Sequence, residues 1–139
     1  MTWVLWAVLS AVFAAATAIL AKIGVTGIDS NLATAIRTTV VLIFTWLLVS
    51  LNRGATNLST ISSRSWTFLI LSGIATGLSW LCYFRALQLG PASKVAPVDK
   101  LSLVLVIAAA AIFLGEPVSL ATGLGAALVL AGVLVLAFA

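Results

Sequence analysis

Residues 119–138 read SLATGLGAALVLAGVLVLAF, without one charged side chain. A bilayer hydrocarbon core about 30 Å thick is crossed by ~20 helical residues, so this stretch reads as a membrane span, and the rest of the chain repeats it. Working back towards the N-terminus, four further apolar stretches are separated by polar or Gly/Pro punctuation. They lie at about 93–114, 66–87, 32–51 and 3–23, parted by Gly115-Glu116-Pro117, Gly90-Pro91, a Ser/Thr/Asn-rich loop around Asn52-Arg53-Gly54, and Thr26-Gly27-Ile28-Asp29. Composition agrees. Of 139 residues 63% are apolar and 7% charged, against roughly 25% charged in soluble domains, and the mean hydropathy is +1.30. Ten charged side chains cannot coat a soluble domain of this length. The prediction is an all-α membrane protein of five transmembrane helices forming a single domain over residues 1–139, multi-pass in a cell membrane, either plasma or bacterial inner. The first span lacks the basic n-region of a signal peptide, and its apolar run exceeds the ~7–15 residues of an h-region.

Several chemistries are excluded by inventory. With no His and one Cys, at position 82, the chain offers no zinc or other metal set, no Cys-His nucleophile pair and no disulfide framework. The seven basic residues fall singly among apolar runs and form no nucleic-acid face. No cofactor is implied, and no nucleophile and base pair suggests an enzyme.

Five spans put the termini on opposite sides. Arg53, Arg64 and Glu116 fall on the side of the N-terminus, here side A; Lys22, Asp29, Arg37, Arg85, Lys94, Asp99 and Lys100 fall on side B. Arg37 and Lys100 lie inside their spans and are poor topology signals, so the remaining basic residues divide almost evenly. Such a chain can insert both ways and pair antiparallel with a copy of itself. Trp3, Trp6, Trp46 and Trp66 sit near span ends, as an aromatic belt requires, and Trp80 lies deeper.

Candidate site residues follow from cost. A charge at a helix centre costs about 2.5–3.5 kcal/mol on the insertion scale and normally faces protein or water, which singles out Arg37, Asp99 and Lys100. Lys22, Arg85 and Lys94 are nearer the interface and can snorkel. Asp99 reads either as a charge partner or proton-linked group in a cavity, or as a structural ion pair with Arg37 or Lys100. Pro97 cannot donate to the Ser93 carbonyl, which leaves that carbonyl facing a cavity, or, with Ser93 as N-cap, places Pro97 at the first turn where little is lost and Asp99 near the helix start. Ser72, Thr76, Ser79 and Tyr83 form a hydroxyl stripe beside Gly73, Gly77 and Trp80; it serves packing or lines a hydrated path. Gly123, Ala127 and Ala131, with Gly125 and Gly132, give the last span a small-residue face suited to another helix, from the same chain or from a copy.

Residues 83–97, YFRALQLGPASKVAP, resemble the turn between the third and fourth helices of EamA-type drug/metabolite transporters. Residues 113–117, FLGEP, and 125–134, GAALVLAGVL, resemble that family's next turn and its closing helix. The resemblance covers essentially the whole chain as one five-helix repeat. It implies half of an inverted-repeat transporter, completed by a second copy as a homodimer, antiparallel in arrangement. The closing helix also resembles the dimerising helix of small multidrug resistance proteins. Those exchange protons through a Glu in their first helix, where this chain has no acid, so Asp99 is the acid available inside a span. The function expected is alternating-access transport of a small organic metabolite, with Arg37 and Lys100 binding an anion, Asp99 coupling, and Trp80, Tyr83 and the Ser72 stripe lining the path. The other class of function is a membrane scaffold or accessory subunit whose charges are satisfied ion pairs.

Overall fold

The computed structural model describes residues 2–51 and 58–138; Arg53 and its turn lie outside them. All regular structure among the described residues is helical: α1 (Thr2–Gly24), α2 (Ser30–Leu51), α3 (Ser63–Leu89), α4 (Ala92–Asp99), α5 (Leu101–Phe113) and α6 (Leu120–Phe138), with a 3₁₀ turn at Leu58–Thr60. Five spans result, because α4 and α5 together make the fourth, Ala92–Phe113. At 1.5 Å per residue the 19 residues of α6 reach about 28 Å and the 27 of α3 about 40 Å. All lie at or above the ~17 residues that one crossing needs.

Three helices start at polar caps that a hydropathy reading passes over. The Asp29 carboxylate accepts the amides of Asn31 (2.9 Å) and Leu32 (3.0 Å), so α2 begins at Ser30 rather than 32. Ser62 Oγ accepts the Ser65 amide, so α3 begins at Ser63 rather than 66, and Ser119 Oγ accepts the Thr122 amide at the start of α6. Inside the spans, hydroxyls bond back to their own helix: Thr34 to the Ser30 carbonyl, Thr38 to Thr34, Thr45 to Val41 and Thr76 to Ser72. In lipid, with no water to take those groups, such bonds are what make Thr tolerable.

The fourth span departs from the sequence expectation. The N-cap of α4 is Pro91, not Ser93: its extended backbone (φ −69°, ψ 142°) leads into Ala92, and its carbonyl accepts the amides of Lys94 and Val95. Pro97 therefore sits inside the helix, past its first turn. Two residues later the regular helix ends at Asp99; the Lys100 amide bonds to the Pro97 carbonyl at 2.9 Å, and α5 restarts at Leu101. Pro97 offers no amide to the Ser93 carbonyl, and at Lys100 the turn tightens to a bond three residues back, where α4 gives way to α5.

The chain divides into two compact units, residues 20–88 and residues 1–19 with 89–139. In the first, the buried side chains are Val25, Ser30, Ala33, Thr34, Phe84 and Leu87, clustered at the end of α1, the start of α2 and the last turns of α3. In the second, α4 and α5 pack on α6, and Ala18 and Val133 are buried. Elsewhere large apolar side chains are exposed, as Trp3, Trp6 and Phe138 are. In lipid this carries no hydrophobic penalty.

Candidate functional site

Within residues 20–88, Arg37 lies seven positions into α2, about 10 Å along the helix from its start. Its guanidinium carbon is 4.2 Å from the centroid of the Trp80 ring and 5.5 Å from that of Phe84. Trp80 and Phe84 are four apart on α3, so they present neighbouring rings on one helix face. Phe84 is buried and Arg37 and Trp80 are half-buried; Tyr83 is half-buried and within electrostatic reach of the guanidinium. The one carboxylate in this unit, Asp29, is committed to the cap of α2. Among the described residues no hydrogen-bond acceptor reaches Arg37, although a guanidinium carries five N–H donors. A cation–π contact is worth about 0.5–2 kcal/mol, which holds the group in place and does not neutralise it.

At the side-B end of the same unit, α1 and α3 are tied by polar groups. Lys22 Nζ donates to the Leu87 carbonyl. Gln88 Nε2 donates to the carbonyls of Ile28 (2.6 Å) and Val25 (3.4 Å), and its Oε1 accepts from Arg85 Nη1 at 3.1 Å. These bonds close over Leu87 and Val25, which are 0% and 2% exposed. Beside them lies a cavity of about 330 Å³ lined by Lys22, Thr26, Gly27 and Gln88 among others. Gly27 turns the chain with φ +80°, a conformation that L side chains rarely adopt. Lys22 thus ties α1 to α3, while Arg85 bonds to Gln88 within α3.

In the other unit Lys100 Nζ lies 3.3 Å from Asp99 Oδ2, both partly exposed, at the α4–α5 break three residues after Pro97. Of the two readings of Asp99, the ion pair with Lys100 is the contact present. Ser72, Thr76 and Ser79 are exposed along α3. On α6, Gly123, Ala127, Ala131, Gly125 and Gly132 are also exposed, and a methyl group added at any of those three glycines meets no atom within 4 Å. Among the described residues no three His, Cys, Asp or Glu side chains group as a metal set.

Sequence reasoning found Arg37, Trp80 and Tyr83 separately, and the structure brings them to one place. It missed Phe84, Gln88 and Leu87. The i, i+4 spacing of Trp80 and Phe84 was a signal for the first; a Gln just before the Gly90-Pro91 helix stop was the signal for the second.

Five helices long and apolar enough to cross a bilayer, capped at their ends, define a multi-pass membrane protein. The chain belongs to the EamA-like transporter family, whose model matches residues 1–138. It is similar to a protein of Sinorhizobium sp whose name reads "Uncharacterized transporter in cobO 3'region", at 52% identity over 136 residues, 98% of this chain and 96% of that one. No solved structure matches it.

Proposed function

We propose that this membrane transporter is a secondary, alternating-access carrier of a small organic metabolite, not an enzyme, and works as an antiparallel homodimer in the plasma or bacterial inner membrane. The observation that carries the reading is a family match along residues 1–138, with five spans among the described residues. An inverted-repeat transporter needs two such units facing opposite ways across one solute path. The whole chain, 1–139, is then one domain and a second copy supplies the other half. Support comes from the nearly even division of interfacial basic residues and from the open small-residue face of α6 at Gly123, Gly125 and Gly132. The basic residues of side B favour anionic or zwitterionic solutes at that mouth.

The test is exchange without a presumed substrate. Liposomes holding the purified protein and filled with an unlabelled metabolite extract are placed in a ¹³C-labelled extract, and their contents are read by mass spectrometry. One or a few labelled compounds should accumulate above protein-free liposomes; no enrichment of any compound refutes the carrier. Reporter fusions at the C-terminus test the antiparallel pair: signal on both sides is expected, and signal on one side only refutes it.

A further inference from the structure

We infer that the open edge of the Arg37 guanidinium receives the carboxylate or phosphate oxyanion of the transported solute, with Trp80 and the buried Phe84 fixing the cation and the half-buried Trp80 meeting the solute's apolar body. This rests on the carrier reading above and names its solute class. Three observations carry it. Arg37 stands about 10 Å inside α2, and Trp80 about 13 Å from the end of α3, so the guanidinium is held about two helical turns inside the ends of both spans. Its unit provides one carboxylate, and Asp29 spends that on backbone amides. Ring faces attract the cation, yet among the described residues no acceptor takes its N–H groups. A planar fork of donors with no acceptor matches a two-oxygen anion in bidentate geometry. Lipid phosphates lie in the headgroup layer beyond the span ends, and a guanidinium set about two turns in and held against Trp80 favours a solute over a lipid as the source of the oxyanion.

Thermal unfolding of the purified protein in detergent tests this at constant ionic strength. The probes are benzoate, phenylacetate, succinate and phenyl phosphate, with benzamide and benzylamine as uncharged and cationic counterparts and phosphatidylglycerol in the micelle as the lipid arm. At least one of the four oxyanions should raise the midpoint by about 3 °C at ten times its half-saturating concentration. Arg37→Lys, which keeps the charge and loses the fork, should weaken that response about 10- to 100-fold, and Arg37→Gln should abolish it. The midpoint without ligand shows that each variant is folded. The proposal is overturned if none of the four stabilises the protein, if Arg37→Gln responds like the parent, if benzamide or benzylamine does as well, or if only phosphatidylglycerol acts. The two readings separate in the liposome assay. A labelled solute exchanged equally by parent and Arg37→Gln overturns the Arg37 assignment and leaves the carrier standing; oxyanion stabilisation with no exchange of any compound sustains the site and overturns the carrier.

Discussion

Arg37 is kept at a cost to its own helix. A guanidinium inside a span disfavours insertion by up to about 2.5–3.5 kcal/mol, and the rings of Trp80 and Phe84 return about 0.5–2 kcal/mol of that. Arg37→Met should therefore insert α2 more readily in a translocon assay and lose labelled exchange; a variant that exchanges like the parent contradicts the role given to the charge. Gly27 makes a second demand, since its φ of +80° disfavours any Cβ. Gly27→Ala is expected to lower stability by about 1–2 kcal/mol, read as a drop in thermal midpoint. Much of this scale was legible in advance. A charge within an apolar run and a Trp away from the span ends stand out in one dimension. That Arg37 meets Trp80 and Phe84 did not, because it depends on the rotation of α2 and α3 about their axes, and hydropathy is blind to rotation when every face is apolar.

The elements show a similar division. Five spans could be read from apolar length alone, as lipid forces any crossing segment into a helix. The helix starts at Ser30 and Ser63 could not, because the polar caps Asp29 and Ser62 lie outside the apolar runs. Pro97 was visible, but its consequence depended on where α4 begins. A start at Ala92 moves it past the first turn, where it interrupts the span at Lys100. An interior Pro costs about 3 kcal/mol relative to Ala, so Pro97→Ala should join α4 to α5 and slow hydrogen exchange of the amides around Lys100; unchanged exchange there means that Pro97 does not cause the break. The tie between α1 and α3 is a matter of hydrogen bonds. Gln88→Leu removes donors from the Val25 and Ile28 carbonyls and the acceptor from Arg85, and is expected to destabilise by about 1–3 kcal/mol.

For the whole molecule, the scarcity of charge has two consequences. Ten charged side chains in 139 residues place the chain in lipid, and the basic residues near the span ends, Arg53 and Arg64 on one side against Lys22, Arg85 and Lys94 on the other, give orientation little bias. The open small-residue face on α6 of this member of a transporter family fits the proposal that a second copy supplies the other half of the transport path. Partner choice is the part of the candidate site that no single chain spells out: the Gly123, Ala127 and Ala131 spacing fits any close-packed helix. The most direct test is the mass of the particle that carries out the labelled exchange, taken by native mass spectrometry after release from detergent. Two chains, twice 14.3 kDa, is the expected result; a single chain that still exchanges solute contradicts it.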